Sequence, residues 1–388
     1  MQREKIQFSF NVKNEKIILI LYLIVLACGI LLYSTVPFKQ GIRTIWKAGI
    51  LLLFICFALL QRHSRHQWYI LLILLGICII SSVFYKVNVS FFYVTFIMFS
   101  MSNILPKKIL SLSAKIIFLI IACLTVCSTL HLIPNLIFYR DGTVRQSLGT
   151  IYPLTYAGFI FYGCAGWTSV CKDNLKNILI LFLLAGYVFL ITGARNDAID
   201  ILLLIIACIS DHFNYKVNKY LSLVCIFIVY IACIFSIFIT KFLPYYSNTY
   251  IFLNNMLDGR LGLQYLLNNS YKPTLFGQVI QQIGFGGNIS RMSNYFYIDN
   301  SYIRLLYMSG IILTILMFYL ITNLIFNLYK LGLYKQIYII LIIMISGITE
   351  DSLMNGSISI FLYILLATSI NLKNSFEASN IWTTENKR

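Results

Sequence analysis

Five short stretches of this sequence combine arginine or carboxylate side chains with glycine, asparagine, serine or threonine. They are residues 140–149, 192–197, 254–260, 299–302 and 349–352. The planar guanidinium of arginine binds phosphate or carboxylate through two parallel hydrogen bonds and stays charged when partly desolvated. Carboxylates can accept the proton of a reacting hydroxyl group. The stretches therefore indicate a site for an anionic, phosphorylated ligand if the fold brings them together.

The composition places these stretches in a membrane protein. Of the 388 residues, 59% are hydrophobic and only 11% are charged, against roughly 25% charged residues in a soluble domain. Such a composition excludes a soluble enzyme and a disordered chain, and the ten cysteines are not spaced as in a disulfide scaffold. The net charge of +17 would suggest nucleic acid for a soluble protein. Here we expect membrane lipid as a partner and no nucleic acid.

The sequence predicts an all-α polytopic membrane protein, residues 1–388 forming a single integral membrane domain of about 12 transmembrane helices. A bilayer core needs about 20 apolar residues per helix, and hydrocarbon offers no hydrogen-bond partners to an irregular backbone. The predicted spans are 17–33, 45–60, 68–85, 89–105, 110–133, 150–170, 177–192, 197–210, 219–243, 301–326, 335–349 and 353–371.

The distribution of basic residues predicts that both termini are cytoplasmic. With spans alternating from a cytoplasmic start, 17 basic residues lie inside and 12 outside, and Lys115 lies within the fifth span. Every inside segment then carries at least two basic residues, as the positive-inside rule expects. All five stretches with candidate chemistry lie on the outer side in this arrangement.

Lysine and arginine divide differently between the two sides. Thirteen of the 17 inner basic residues are lysine, whereas seven of the 12 outer ones are arginine. The outer arginines are Arg43, Arg140, Arg145, Arg195, Arg260, Arg291 and Arg304. Ionisable residues at the membrane boundary are functional candidates by default, so we expect at least two of these to bind an anionic ligand. In the alternative interpretation they only hold loops together, paired with Asp141, Asp197, Asp258, Asp299, Glu350 or Asp351.

One predicted extracellular loop, residues 244–300 between spans nine and ten, is far longer than the others. Structureless loops beyond about 12–15 residues are uncommon and usually functional. Within it, residues 254–268 have the apolar and polar pattern of an amphipathic helix. Such a helix would lie in the membrane interface, or it would be an ordinary buried extracellular helix.

The sequence predicts neither a metal site nor a nucleotide site. Nine cysteines lie inside apolar runs and Cys171 ends one, which is typical of small packed side chains. Neither a zinc signature nor a nucleotide-binding loop is present, and residues 284–287 resemble a glycine fingerprint only superficially. His131 is either a catalytic group near the outer face or, as the sequence favours, a packed or interfacial histidine. We expect no cofactor and metal-independent chemistry.

The order of these motifs resembles that of Wzy-type polysaccharide polymerases, in the O-antigen and capsule polymerase and ligase superfamily. The similarity covers most of the chain: a dozen spans, cytoplasmic ends and one large outer loop late in the sequence. The matching features are residues 145–149 with Pro153, 192–195, 258–260, 275–277, 299–302 with Gly310, and Glu350. Thr150, Leu154 and Ala194 depart from the residues common in the family.

The resemblance implies a glycosyltransferase of the bacterial plasma membrane. Such enzymes join oligosaccharide repeat units carried on undecaprenyl diphosphate into capsule, O-antigen or exopolysaccharide at the outer leaflet. The resemblance also suggests two possible partner proteins, a chain-length regulator and a flippase. Because diphosphate is a good leaving group, the enzyme needs electrostatic stabilisation more than a general acid.

Roles for individual residues follow from that chemistry. Arg145, Arg195 and Arg260 are the candidates for stabilising the diphosphate, with Arg260 counted as catalytic. Arg140 and Arg291 are further candidates for binding the substrate. Asp299 and Glu350 are the candidate bases for the acceptor hydroxyl, and Asn300 and Tyr302 are candidate sugar contacts.

Three other functions stay open at this point. A flippase or transporter of the same lipid-linked oligosaccharide would favour charges in mid-span, short loops and a weak twofold repeat, and no internal repeat is visible. An O-antigen-type ligase would share the fold and pass the chain to a different acceptor. A structural scaffold would have little use for arginines at the rim of the membrane.

Overall fold

The fold is taken from a computed structural model that describes residues 2–87, 89–140, 142–210, 212–284 and 295–376, and the side chains of these apart from 2–14, 58 and 59. The candidate residue Arg291 lies outside this part of the chain, as do Asp141 and the glycines of 286–287. Most of the described residues are helical, which confirms the predicted helical membrane protein.

The first half of the chain consists of long apolar helices and one short hairpin. The elements are α1 (Gln2–Leu32), α2 (Lys39–Leu60), α3 (Arg65–Tyr85), α4 (Val89–Met101), α5 (Pro106–Thr129), β1 (Ile137–Arg140), β2 (Thr143–Gln146), α6 (Pro153–Val170), α7 (Leu175–Thr192), α8 (Arg195–Ser210) and α9 (Tyr215–Phe242). Seven of the helices in the described part of the chain are long and apolar enough to cross a membrane: α1 from Glu15 onward, α2, α3, α5, α7, α9 and the later helix Ile311–Lys330. The chain is therefore a multi-pass membrane protein.

The two strands, with isolated antiparallel bridges at Ser34–Thr150 and Ile283–Phe296, are the departures from an all-helical fold that the described residues show. β1 and β2 pair antiparallel, with Phe138 opposite Arg145 and Arg140 opposite Thr143. The segment that follows is tied to the end of α1, since Thr35 N donates to Gly149 O at 2.8 Å. This hairpin was not predicted, because its four-residue strands are too short to show alternation.

The second half of the chain is more broken than predicted. Its elements are α10 (Asn248–Met256), α11 (Arg260–Ser270), α12 (Ser301–Arg304), a π-helical turn at Leu305–Ser309, α13 (Ile311–Lys330), α14 (Tyr334–Thr349), 3₁₀ turns at Asp351–Met354 and Ile360–Ile364, and α15 (Ser369–Phe376).

Three predicted helices differ from these elements. The predicted loop helix 254–268 is interrupted where Asp258 and Gly259 adopt positive φ angles of 55° and 84°. The predicted span 301–326 breaks at Gly310, where φ is 96°. The predicted span 353–371 is not one helix: Asn355 Oδ1 accepts from Ser357 N at 3.0 Å, and such a local bond competes with helical hydrogen bonding.

α14 lies at the centre of the bundle. It packs against α6, α8, α9 and α13, and nearly all of its side chains from Tyr334 to Gly347 are buried. By contrast, α7 and α9 each present large apolar side chains outward, among them Leu190 and Phe227. This is the arrangement expected for a protein-facing helix surrounded by lipid-facing ones.

Candidate functional site

A cavity of about 1160 Å³ opens at one end of the bundle. Its walls come from the C-terminal ends of α1, α3 and α14, the N-terminal ends of α4 and α6, the hairpin, and the turn between α10 and α11. Helices that alternate in direction place such ends on the same side of a bundle. Five predicted site residues line the cavity: Arg140, Arg145, Arg260, Asp299 and Glu350.

Arg260 is the centre of the charged cluster in this cavity. It is the first residue of α11, placed there by the positive-φ turn at Gly259. Its Nε donates to Asp299 Oδ2 at 2.9 Å, and its Nη2 lies 3.6 Å from Glu350 Oε1. The guanidinium thus joins a carboxylate before α12 to a carboxylate at the end of α14. Burial raises the pKa of Asp299, and the positive charge of Arg260 acts in the opposite direction.

Glu350 is the most buried of these carboxylates, with 6% of the residue exposed. Its Oε1 makes no hydrogen bond among the described residues. Burial, together with the nearby Asp197, raises the pKa of Glu350 well above its ordinary value, although Arg260 opposes the shift. The C-terminal end of α14 also disfavours a negative charge at this position. Glu350 is therefore held in its neutral form far more readily than an exposed glutamate.

The raised pKa of Glu350 predicts a stability effect with a definite sign. A folded state that binds the proton more tightly than the unfolded state loses stability as the pH rises above the unfolded value of 4.5, by at most about 1.4 kcal/mol per pH unit. Glu350→Gln mimics the neutral form, so we expect a Tm at pH 7 at or above that of the parent and no difference near pH 4.5. Thermal unfolding of purified protein across this range measures it. A Tm at pH 7 below the parent's would show that the ionised form stabilises the fold.

Arg145 lines the cavity but is only 3% exposed, and its side chain is held by the C-terminal end of α7. Its Nε donates to Thr192 O, at the C-terminal end of α7, at 2.6 Å. A Cβ on Gly193 would lie 3.0 Å from Arg145 Nε, so the side chain packs directly on that glycine. Of the four arginines that line the cavity, Arg145 alone has no carboxylate within 4 Å among the described residues. Although Arg145 is the most buried of the four, its charge is thus not neutralised by a described carboxylate, which favours an anionic ligand.

Gly193→Ala tests whether this packing positions Arg145. The new methyl group would push against the Arg145 side chain, and the position also has φ +61°. Gly142→Ala is the matched control, since Gly142 has φ +74° with nothing within 4 Å of its Cβ position. We expect both variants to lose about 1–2 kcal/mol of stability from backbone strain, and Gly193→Ala alone to weaken binding of inorganic diphosphate, measured by calorimetry. Equal diphosphate binding by the two variants would show that Gly193 does not position Arg145.

Two further ion pairs complete the cluster. Arg140 Nη2 contacts Asp258 Oδ1 at 2.8 Å and so joins the hairpin to the turn before α11. Arg304 is paired with Asp351, whose Oδ2 also accepts from Tyr297 Oη at 2.6 Å. Arg304 belongs to the outer arginines of the sequence but was not chosen as a site residue. Its place one helical turn after Asp299 and Asn300 was the signal available.

Other predicted residues lie outside the cavity. Arg195 is exposed at the start of α8 and is not part of the lining. Asn300 caps α12 by accepting from Tyr302 N and Ile303 N at 2.9 and 3.0 Å. Tyr302 is fully buried, and its hydroxyl donates to Met344 O at 2.7 Å. The polar atoms of these two residues are thus used within the fold.

Two buried aspartates of α8 lie near Glu350. Asp197 and Asp200 are 2% and 4% exposed, and each has one carboxylate oxygen without a hydrogen-bond partner among the described residues. Asp200 lies near Ser346 on α14. Sequence reasoning treated Asp197 only as a loop partner and missed Asp200. Their spacing of three residues, which places them on one face of a helix, was the signal.

The cavity can thus bind an anionic group beside carboxylates that differ in burial. It combines four arginines with the acidic residues Asp258, Asp299, Glu350 and Asp351. Because the raised pKa of Glu350 favours its neutral form, the positive charges of the arginines outnumber the negative charges of the carboxylates in the cavity. The volume of the cavity, about 1160 Å³, exceeds the roughly 300–1,000 Å³ of ordinary small-molecule sites. Comparison of the chain with family models, curated proteins and solved structures finds no match.

Proposed function

We propose that this chain is a polymerase of the bacterial plasma membrane that joins undecaprenyl-diphosphate-linked oligosaccharide repeat units into a surface polysaccharide. In this proposal the chain crosses the membrane about 12 times, both termini are cytoplasmic, and the cavity faces the outer leaflet. The observation that carries the proposal is the single cavity in which Arg145 and Arg260 lie beside Asp299 and Glu350. The order and side of the motifs along the sequence add the resemblance to Wzy-type polymerases.

The chemistry assigns separate tasks to the two kinds of charge. The acceptor hydroxyl attacks the anomeric carbon of the growing chain, and the bond from that carbon to the diphosphate oxygen breaks. Arg145 and Arg260 stabilise the negative charge that develops on the diphosphate. A carboxylate receives the proton of the hydroxyl as the new bond forms.

Asp299 is the better candidate for that base. Its side chain is 19% exposed and directly paired with Arg260, which favours the ionised form. The Glu350 side chain is 8% exposed, and burial favours its neutral form. We therefore assign proton removal to Asp299. Glu350 holds the second side of Arg260, and Asn300 and Tyr302 support the helices instead of contacting sugar.

Deletion of the coding sequence, followed by analysis of surface glycans, tests the proposal. We expect single repeat units in place of long polymer, restored by a plasmid-borne copy. Loss of all outer-leaflet intermediates would instead indicate a flippase. Free polymer that fails to reach its final acceptor would indicate a ligase. Reconstitution with a purified lipid-linked repeat unit then determines whether the chain alone forms polymer.

A further inference from the structure

A second, smaller cavity of about 250 Å³ lies between α9 and α11. It adjoins the main cavity, and the two share Arg260, Leu263, Tyr297 and Asp299 as lining residues. We call this second cavity the side slot. Because the charged end of the side slot belongs to the charged cluster of the main cavity, a ligand of the slot must fit both its apolar walls and this charged cluster.

The long walls of the side slot are helical faces. α9 contributes Ala232, Phe235, Ser236 and Ile239, and α11 contributes Leu261, Leu263, Gln264 and Leu267 next to Arg260. Spacings of three and four residues place each set along one side of its helix. Seven residues of helix span roughly 10 Å, so the slot is long enough for a short stretch of an extended chain.

The polar groups in these walls are already satisfied by the protein. Gln264 Nε2 donates to Ser236 O at 3.1 Å and to Ile237 O at 3.0 Å. Asn300 Nδ2 donates to Ser236 Oγ at 3.1 Å, while its Oδ1 caps α12. Away from Arg260 and Asp299, the slot therefore presents an apolar surface. Apolar cavities of this kind stay dry and bind apolar groups.

The slot also borders the lipid-facing side of the bundle. α9 is one of the membrane-spanning helices, and Phe235 in the slot wall is 48% exposed on it. An apolar chain can thus pass from the bilayer into the slot while an anionic head group reaches Arg260. One amphiphile, with phosphate at one end and a linear hydrocarbon at the other, meets both requirements.

We propose that the side slot binds the head-proximal part of the polyisoprenyl chain of a lipid-linked diphosphate, with the diphosphate at Arg260. This inference rests on the proposed function for the identity of the lipid, while the fit of an anionic head group and an apolar chain comes from the slot itself. The slot is the element that holds the anomeric carbon at a fixed distance from Asp299.

Photolabelling of the purified full-length chain tests this inference without any need for polymerisation. The probe is a polyisoprenyl diphosphate that lacks sugar and carries a diazirine in its first isoprene units, and mass spectrometry maps the adducts. We expect adducts in α9 and α11. Ala232→Phe and Ile239→Trp, both at half-buried wall positions, should each reduce these adducts at least tenfold. Ile234→Trp is the control, since this neighbouring residue of α9 is 49% exposed and lies outside the slot lining.

Two outcomes would overturn the inference. The first is labelling of the unmodified chain at sites other than the slot, which decides the question even if a wall variant fails to fold. The second is equal competition by an anionic diacyl phospholipid, which would show a general lipid site. A labelled slot in a chain that forms no polymer would overturn only the proposed function, and an active polymerase with an unlabelled slot only this inference.

Discussion

Replacing Arg260 by glutamine is expected to reduce polymer formation by roughly 100-fold or more, the usual loss when one donor to a developing negative charge is removed. Among the described residues, Arg260 alone forms ion pairs with both Asp299, at 2.9 Å, and Glu350, at 3.6 Å, and it also lines both cavities. The change removes the positive charge at the diphosphate and leaves two carboxylates unpaired. Polymer formed from a purified lipid-linked repeat unit measures the effect, and Arg43→Gln, at an exposed position of α2, is the matched control.

A loss of activity in Arg260→Gln has to be separated from a loss of folding. Removing one partner of a buried ion pair costs about 3–5 kcal/mol, mainly because the other charge stays buried. The double variant Arg260→Gln with Asp299→Asn removes that charge as well, so we expect its Tm to recover while polymer formation stays lost. Recovery of activity together with stability would show that Arg260 only supports the fold.

Apolar runs predicted the lipid-facing helices well, and the protein-facing segments less well. α7 and α9 begin and end within a few residues of their predicted spans. Residues 353–371 also form a long apolar run, yet they contain 3₁₀ turns and the start of α15 instead of one helix. Irregular backbone is tolerated at membrane depth where it is surrounded by protein. A hydropathy profile registers apolar composition in both cases and does not reveal which neighbour a side chain will have.

The positions of the charged site residues could likewise be predicted only in part from the sequence. The preference for arginine on one side selected Arg140, Arg145 and Arg260, and the structure places all three in one cavity. Whether Arg195 joins them depends on how α8 is rotated, and no local pattern in the sequence contains that information. For Arg304 the spacing from Asp299 was the one local signal, and it does not reveal the ion-pair partner. The ion pair of Arg304 with Asp351 joins residues 47 positions apart. Pairings at that distance arise from helix packing.

A large loss of stability is also expected when the backbone contact that supports one wall of the cavity is disturbed. Gly277 has φ +92°, and a Cβ there would lie 2.2 Å from Met308 O. Gly310 has φ +96°, and its Cβ would lie 2.4 Å from Gly277 N. Ile311 N donates to Thr274 O at 3.0 Å across the same contact. The loop after α11 thus lies directly on the π-helical turn, backbone against backbone.

Gly277→Ala and Gly310→Ala should therefore each lose about 2–5 kcal/mol of stability, of which about 1–2 comes from the positive φ and about 1–3 from overpacking. Neither backbone can yield cheaply, since each is hydrogen-bonded to the other. Gly186→Ala in α7 is the control, because its Cβ would meet nothing within 4 Å and alanine favours a helix. Thermal unfolding of purified protein measures the difference. Because Val279, Ile280 and Gln282 carry this loop along the cavity wall, the same variants should also lose polymer formation; unchanged Tm values in both would show that the loop does not rest on the π-helical turn.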